Sequence, residues 1–353
     1  MIRIFYLFII CSLIWNCERN SSGIEFGDTY QWPVSTPEKQ GLTGSRLASA
    51  LSAADHTGFM DGILIIKNGY LVAEQYFNGF DAIAPHNVMS VSKSFLSAAT
   101  GIALENGYID SLNQKVLPFF PEYNRDDLDP RKQEITIRNL LMMQAGYESE
   151  YYNFMAIYSS KNWIKTTIEW PLKYDPGTTF SYNTFETHLL SAILTKATGQ
   201  STLTFVTKNL LEPIGIKVHD WEQDPQGYYF GGTNMFFRPR EMAVLGYLYL
   251  NDGKLNGQQI VPEHWVTESI TNYTLFEGKN WGDLHNYNYG YLWWLGEING
   301  NKAFIALGYG GQYIISFPDL DMIIVTTSEN NLDWDTADAH EQTVVHLVAE
   351  YIL

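Results

Sequence analysis

The sequence predicts an α+β fold, with one antiparallel sheet built from both ends of the chain and mainly helical segments inserted between. Two hairpin patterns carry this prediction. Residues 63–74 have a hairpin pattern with Asn68-Gly69 at the turn, a dipeptide that two-residue hairpin turns favour. Residues 313–317 and 322–327 form a second hairpin pattern near the C-terminus. Because these strand patterns are separated from the helical ones, an antiparallel sheet is favoured over parallel βαβ units.

The elements follow one another in chain order. Residues 45–54 have the pattern of an amphipathic helix, and a second helix follows the segment around Ser90. Further helical patterns occupy residues 135–143, which end at Gly146, and residues 188–198, 202–211, 239–250 and 262–270. A strand at residues 303–307 precedes the second hairpin, and a helix over residues 339–352 closes the chain.

The composition is that of a globular protein with an acidic surface. The chain has 353 residues, of which 45% are hydrophobic, which suffices for a large core in one domain or two subdomains. Its net charge is −17 and it has no basic run. We therefore expect no binding to nucleic acid or to an anionic membrane surface. The sequence does not indicate an oligomeric state.

The N-terminus has the pattern of an export signal rather than of folded structure. Residues 1–17 combine a positive charge with a short apolar run, and their end resembles a bacterial lipobox, which implies lipidation of Cys17. Asn16 stands where a small residue is usual, so cleavage with release and an uncleaved anchor remain alternatives. We expect a linker at residues 18–34, a domain at residues 35–353, and export to the periplasm or cell envelope, with membrane contact only through the lipid.

The cysteine and histidine patterns give no indication of a metal or cofactor. The two cysteines, Cys11 and Cys17, both lie in the N-terminal segment. The eight histidines show no His-Glu-x-x-His or similar ligand spacing. We therefore predict a reaction that needs no metal or cofactor.

A serine and a lysine three residues apart are the first candidate site. Ser90 and Lys93 begin a helical pattern, and residues at i and i+3 share one face of a helix. A lysine removed from water can act as the base that activates a serine hydroxyl. The same pattern also fits a cap serine followed by a solvated lysine, so Ser-x-x-Lys alone does not decide the function.

Two further segments carry groups that suit hydrolysis. Tyr182 lies in a turn just before the helix at residue 188, where a phenol could face a cleft and relay a proton. Tyr309-Gly310-Gly311-Gln312 leads into a strand, and its glycines let backbone N–H groups approach a ligand, as an oxyanion hole requires. A loop tyrosine and a glycine bulge are the structural alternatives.

The three segments together resemble the serine β-lactamase and penicillin-binding-protein-like hydrolases. Within that family they are similar to the class C-like branch, which includes esterases, D-amino-acid peptidases and 6-aminohexanoate-dimer (nylon-oligomer) hydrolases. The resemblance runs from about residue 35 to the end, and the order and spacing of the segments match. It implies a β-lactamase/transpeptidase-like fold.

The resemblance also implies roles for single residues. Ser90 would be the nucleophile, Lys93 its base and Tyr182 the proton shuttle to the leaving group. The backbone N–H groups of Ser90 and Gln312 would form the oxyanion hole. The remaining positions implied for substrate binding are Thr184, Asn183, Tyr309, Gly310 and Gly311.

Two departures from the family pattern bear on the substrate. The usual Tyr-x-Asn motif is Tyr182-Asn183-Thr184 here, so the amide that often binds a substrate carbonyl is replaced or displaced. Tyr309 stands where the family has a lysine or histidine, and a phenol supplies no positive charge for a β-lactam carboxylate. Both changes favour small-molecule or peptide substrates with an ester or amide carbonyl over β-lactams.

The predicted function is an exported serine hydrolase that works through an acyl-enzyme. A D-Ala-D-Ala-type peptidase, a β-lactamase and a non-catalytic penicillin-binding-like sensor are the alternatives. His86 lies four residues before Ser90 and is a second, less favoured candidate for the base. The aromatic run at residues 287–294 is predicted mainly to pack the sheet, with one or two side chains reaching the cleft.

Overall fold

The computed structural model describes residues 30–274 and 279–353, and the strands named here lie within those ranges. They are β1 (Met60–Lys67), β2 (Tyr70–Tyr76), β3 (His86–Asn87), β4 (Phe236–Phe237), β5 (Lys254–Leu255), β6 (Gln258–Gln259), β7 (Leu284–Tyr289), β8 (Trp294–Ile298), β9 (Asn301–Gly308), β10 (Gln312–Phe317) and β11 (Met322–Ser328). Seven of them form one sheet in the order β2-β1-β11-β10-β9-β8-β7.

The helices occupy mainly the segment between β2 and β7. They are α1 (Gly44–Thr57), α2 (Ser92–Glu105), α3 (Ile137–Leu141), α4 (Glu150–Tyr158), α5 (Trp163–Glu169), α6 (Thr184–Thr198), α7 (Thr202–Val206), α8 (Pro239–Leu250), α9 (Glu263–Ser269) and α10 (Trp334–Leu347). A turn of π-helix follows both α7 and α10.

The large sheet joins the two ends of the chain, as predicted. Strand β1 pairs antiparallel with β2 on one side and with β11 on the other. The β1–β2 turn contains Asn68 at φ 52° and Gly69 at φ 75°, the left-handed conformation that a two-residue hairpin turn requires. The α+β prediction with an antiparallel sheet and an inserted helical part is therefore confirmed.

Each face of the sheet buries a separate layer of side chains. Ile63 and Ile65 of β1 pack toward α1 and α10, whereas Leu64 and Ile66 pack into the larger core beneath the inserted helices. Successive residues of a strand point to opposite faces, so a strand covered on both faces is continuously apolar. The result is a three-layer domain in which the inserted helices lie on one face of the sheet.

Several element boundaries differ from the sequence prediction. The helix expected at residues 135–143 is only Ile137–Leu141, because a Thr136/Asn139 capping box begins it and the chain turns away at Met143, whose φ is 54°. Helix α6 begins four residues earlier than predicted, and α10 five residues earlier. The prediction missed α4, α5, β7 and β8, whose aromatic and polar residues follow no clean period.

The expected linker at residues 18–34 extends too far. Trp32 is buried and its indole N–H donates to the Arg240 carbonyl, and Pro33 accepts a backbone hydrogen bond from Leu71. Residues 30–34 thus belong to the packed domain. The predicted signal and Cys17 lie outside the described residues. Over the described part of the chain, none of the helices has the length and apolar character needed to cross a bilayer.

Candidate active site

Ser90 lies in a single turn of 3-10 helix, Met89–Val91, that leads directly into α2. Met89 has a φ of 50°, a strained value for a residue with a side chain, and the Asn87 side chain accepts its N–H at 3.0 Å. The turn packs against β9 and β10. A Cβ on Gly308 would lie 2.4 Å from the Val88 carbonyl oxygen, so only glycine permits this close approach.

Lys93 occupies the first turn of α2, three residues after Ser90, and its amine is enclosed by three oxygen atoms. The Nζ atom lies 2.7 Å from Ser90 Oγ, 2.9 Å from Thr184 Oγ1 and 2.7 Å from the Gly232 carbonyl oxygen. The side chain is only 1% exposed. The alternative of a solvated lysine is therefore excluded by its burial.

The three contacts define what a neutral amine would do in this position. A neutral amine has two hydrogens and one lone pair. The Gly232 carbonyl can only accept, and if the Thr184 hydroxyl also accepts, the two hydrogens are used. The lone pair then faces Ser90 Oγ, which can donate its proton to Nζ. This arrangement is that of a base beside a nucleophile.

Burial also makes the neutral form of this amine accessible. Removal from water lowers the pKa of Lys93 to about 8, and the negative charge of Glu150 opposes the shift. At neutral pH an appreciable fraction of Lys93 is therefore uncharged and able to take the Ser90 proton.

The Gly232 carbonyl reaches Lys93 because its chain segment touches the start of α6. A Cβ on Gly232 would lie 2.5 Å from Thr184 Cγ2, 2.5 Å from Thr187 Oγ1 and 2.8 Å from the Thr184 carbonyl. Gly232 is not among the predicted site residues, although the dipeptide Gly231-Gly232 is a sequence signal for a close backbone approach.

Tyr182 lies beside the serine and the lysine. Its ring centroid is 4.8 Å from Lys93 Nζ, and its hydroxyl is hydrogen-bonded to Ser90. Burial, reinforced by the charge of Glu150, raises the pKa of Tyr182 well above its usual value, and the Ser90 hydrogen bond acts in the opposite direction. The phenol is consequently neutral at physiological pH, so it can donate or relay a proton but does not act as a standing phenolate base.

Aromatic neighbours fix the orientation of this phenol. The Tyr182 ring stacks on Trp294, with centroids 5.8 Å apart, and meets the edge of Tyr289 at 6.2 Å. Both neighbours belong to the aromatic run at residues 287–294, which thus supports the site from the sheet.

Glu150 is an acidic residue whose charge acts on both Lys93 and Tyr182, and no sequence pattern indicated it. Its backbone N–H donates to the Tyr182 carbonyl at 3.0 Å, and its carboxylate accepts the Thr184 N–H at 2.6 Å. It therefore ties the N-terminus of α4 to the Tyr182–Thr184 segment. No sequence signal distinguishes it from the other acidic residues of the chain.

The remaining residues of the tyrosine motif have structural contacts. Thr184 lines the cleft, but its hydroxyl oxygen accepts a hydrogen bond from Lys93 Nζ at 2.9 Å. Asn183 is buried and caps α6, accepting from the Phe185 N–H while its amide donates to the Glu148 carbonyl at 2.9 Å. The expectation that Asn183 contacts substrate is corrected, because both ends of its amide group are held by the protein.

Two backbone N–H groups of the glycine loop form hydrogen bonds within the protein. The Gly310 N–H donates to Glu341 at 2.9 Å, and the Gly311 N–H donates to the Gly308 carbonyl at 3.2 Å. These two amides are thus occupied, which corrects the expectation that Gly310 and Gly311 bind substrate through them. Burial raises the pKa of Glu341 to about 7. Glu341, from α10, was not found from the sequence.

Of the two residues that flank these glycines, Gln312 is buried and Tyr309 lines the cleft. Gln312 is buried and its side chain pairs with the backbone of Ser328, so its predicted role concerns its backbone N–H alone. That role, like that of the Ser90 N–H, stays a prediction. Tyr309 lines the cleft, and its hydroxyl donates to the Leu332 carbonyl at 2.9 Å.

His86 does not approach the nucleophile. It is buried on β3 with Nδ1 3.9 Å from Asp61, it faces Phe80, and burial lowers its pKa to about 4. It lines a different cavity, together with Asp61. Within the described residues, no group of three or more His, Cys, Asp or Glu side chains is arranged to hold a metal ion.

Ser90 opens into a crevice of about 410 Å³ between the end of the sheet and helix α4. The walls come from the Ser90 turn, from α4, from the Tyr309 loop and from the start of α10. The lining residues are Met89, Ser90, Glu150, Tyr151, Tyr152, Phe154, Met155, Ala156, Tyr158, Thr184, Thr233, Asn234, Tyr309 and Trp334. The nucleophile is therefore accessible, while its base is buried behind it.

Comparison with known proteins identifies the family of this chain. The Beta-lactamase family model matches residues 52–347. The 6-aminohexanoate-dimer hydrolase of Paenarthrobacter ureafaciens is 24% identical over 299 residues, which covers 76% of this chain and 72% of that protein.

Solved structures show the same fold. A proposed 6-aminohexanoate-dimer hydrolase from Bacillus anthracis superposes with a TM-score of 0.71 at 23% identity, covering 93% of this chain and 90% of that one. An octameric penicillin-binding protein homologue from Pyrococcus abyssi gives a TM-score of 0.63 at 19% identity, covering 82% and 73%.

Proposed function

The chain belongs to the β-lactamase family of serine hydrolases, and from this premise we propose that it cleaves ester or amide bonds through a covalent acyl-enzyme on Ser90. The observation that carries the proposal is the 2.7 Å contact between Ser90 Oγ and the buried Lys93 Nζ. A buried lysine with a lowered pKa beside an accessible serine has the properties of a general base and its nucleophile.

The acylation step follows from the positions of three side chains. Neutral Lys93 takes the proton of Ser90 as Oγ attacks the substrate carbonyl, which forms a tetrahedral oxyanion. The predicted donors to that oxyanion are the backbone N–H groups of Ser90 and Gln312. As the intermediate collapses, the leaving alcohol or amine receives a proton from Tyr182, which regains one from the Lys93 ammonium.

Deacylation reverses this path with water as the nucleophile. Water gives one proton to the Tyr182–Lys93 pair as it attacks the ester carbonyl of the acyl-enzyme. Ser90 leaves with that proton and the carboxylic acid product departs. Each proton removed in one half of the cycle is returned in the same half, so the free enzyme is regenerated.

The contacts of the site support an enzyme rather than a non-catalytic sensor. A binding protein needs neither a buried amine aimed at a serine nor a neutral phenol bonded to it, and both are present here. Cleavage of esters or simple amides is favoured over β-lactam hydrolysis, because Tyr309 offers no positive charge at the position implied for a carboxylate. Export and lipidation of Cys17 remain part of the proposal.

A nucleophile replacement tests the proposal directly. We expect Ser90→Ala to abolish the pre-steady-state burst with p-nitrophenyl acetate and to prevent labelling by a fluorophosphonate probe. Ser49→Ala, an exposed serine on α1, is the matched control and should keep both. A burst or a labelled peptide that survives in Ser90→Ala would refute the assignment, provided that circular dichroism shows the variant folded.

A further inference from the structure

The outer part of the crevice is a chain of aromatic rings that joins three separate segments. Tyr151 contacts Tyr152 with centroids 5.2 Å apart and contacts Trp334 at 5.9 Å, and Trp334 contacts Tyr309 at 5.1 Å. We call Tyr151, Tyr152, Trp334 and Tyr309 the aromatic rim. It spans from the first turn of α4 to the first residue of α10.

This rim is open to solvent to a degree that packing alone does not explain. Tyr151 is 63% exposed, Tyr152 65% and Trp334 45%, and the neighbouring Met155 on α4 is 69% exposed. Contiguous exposed apolar surface next to a reactive group marks a binding surface rather than a core. The rim and Ser90 line the same crevice. A substrate whose acyl chain lies along the rim could therefore present its carbonyl carbon to Ser90 Oγ.

The charge that lines the crevice is negative. In the described chain, Glu150 is the only charged side chain among the lining residues. Further carboxylates lie just behind the wall, since Tyr158 donates to Glu222 at 2.8 Å and Gly310 donates to Glu341 at 2.9 Å. Two positive charges lie close by. Lys93 is buried and held by protein oxygens. Lys173 is outside the crevice lining, with Nζ 5.5 Å from the Tyr152 ring centroid and 3.9 Å from the Glu148 carboxylate, with which it pairs.

We propose that the aromatic rim binds the acyl group of the substrate and selects uncharged hydrophobic acyl esters or amides against substrates that carry a carboxylate. The inference rests on the proposed acyl-enzyme function of Ser90 and specifies which acyl donors it accepts. An apolar chain gains free energy for each methylene removed from water along the rings. A carboxylate in the same place loses hydration and faces Glu150, while the Lys173 ammonium beside Tyr152 is already paired with Glu148.

The expected consequence is a dependence on acyl length and on acyl charge. From p-nitrophenyl acetate to the butyrate and hexanoate, kcat/KM should rise by about twofold to fourfold per methylene, the upper figure corresponding to full burial. The p-nitrophenyl monoester of adipic acid has six acyl carbons like the hexanoate but ends in a carboxylate. Its kcat/KM should be at least about tenfold below that of the hexanoate.

Rim variants assign this selectivity to the rings. We expect Tyr151→Ala and Trp334→Ala each to reduce the ratio of hexanoate to acetate kcat/KM about fivefold to tenfold. Tyr151→Phe keeps the ring and should keep the ratio. Tyr70→Ala removes an exposed tyrosine from β2, outside the crevice lining, and is the matched control that should leave the ratio unchanged. A ratio is used because it is insensitive to the fraction of enzyme that is folded.

The outcomes separate the inference from the function on which it rests. Three results would overturn the inference but not the proposed hydrolase function, provided that hydrolysis depends on Ser90. They are no gain in kcat/KM from acetate to hexanoate, equal or better use of the adipate monoester, and unchanged ratios in both alanine variants. If none of the esters is hydrolysed in a Ser90-dependent manner, the proposed function itself fails. Length preference, charge discrimination and their loss in both alanine variants together support the proposal.

Discussion

The ionisation of Lys93 makes a quantitative prediction about the pH dependence of the reaction. The base must be neutral in the free enzyme, so kcat/KM should follow the neutral fraction of Lys93. With a pKa of about 8, that fraction is about 1% at pH 6, about 9% at pH 7 and about 91% at pH 9. The expected profile therefore rises about ninetyfold between pH 6 and pH 9 and is half complete near pH 8.

The same arithmetic shows what burial of the lysine contributes. A lysine with the ordinary pKa of 10.5 would be only about 0.03% neutral at pH 7, so the lowered pKa increases the competent fraction about three-hundredfold. The shift originates mainly from removal of the amine from water, and the charge of Glu150 limits it. The activity at neutral pH thus depends on packing around Lys93 as much as on its identity.

The assay is kcat/KM for p-nitrophenyl butyrate from about pH 3 to about pH 10.5 at constant ionic strength. It is read at a wavelength where nitrophenol and nitrophenolate absorb equally and is corrected for spontaneous hydrolysis. A rising limb centred near 4 would assign the base to His86, whose pKa is lowered to about 4. A profile that is flat above pH 6, or that rises only above pH 10, would refute the role given to a buried neutral Lys93.

Three further perturbations test the neighbours of this pair. Tyr182→Phe should lower kcat by about a hundredfold or more for ethyl esters but much less for p-nitrophenyl esters, because nitrophenolate leaves without a proton. Equal losses for both kinds of ester would contradict a proton shuttle. Gly232→Ala adds a Cβ 2.5 Å from Thr184 Cγ2, which should displace the Gly232 carbonyl that accepts from Lys93. We expect kcat/KM to fall at least about tenfold. A melting curve must show the variant folded at the assay temperature. Burial raises the pKa of Glu341 from 4.5 to about 7, so the stability of the native state falls as pH rises between those values. In urea unfolding, Glu341→Gln should be more stable than wild type by on the order of 3 kcal/mol at pH 8 but by little at pH 4.5. A stability gain that does not vary with pH would argue against a buried, titrating Glu341.

The outline of the fold could be predicted because its elements are specified locally. The apolar residues 63–66 and 71–73 with Asn68-Gly69 between them indicate a hairpin locally. Helix α8 occupies the same residues, Pro239–Leu250, as its predicted pattern. One of the elements that were missed, α4, lines the crevice. Helix α4 carries exposed Tyr151 and Tyr152 on a surface facing the cleft, so its sequence lacks the apolar stripe by which a helix is recognised.

The central part of the site was likewise accessible from the sequence, and its surroundings were not. Ser90 and Lys93 are three residues apart on one helical turn, so their contact needs no tertiary information. Glu150 and Glu341 are ordinary acidic residues along the chain, and their relation to Tyr182 and Gly310 exists only after α4 and α10 have packed. The motif wrongly predicts substrate contact for Asn183, because a motif gives residue order without side-chain direction.

The sequence by itself thus determined the two-ended antiparallel sheet, the inserted helices and the Ser90–Lys93 pair, since all of these follow from period, turn chemistry or short spacing. Tertiary structure alone decided that Lys93 is buried away from water and that the Gly232 carbonyl and the Thr184 hydroxyl accept hydrogen bonds from its amine. It also decided that aromatic rings from α4 and α10 meet at the crevice. The physical reason is that a pKa and a binding surface depend on which atoms exclude water. Those atoms come from segments more than a hundred residues apart, such as Lys93 and Gly232, whose contact no local pattern records.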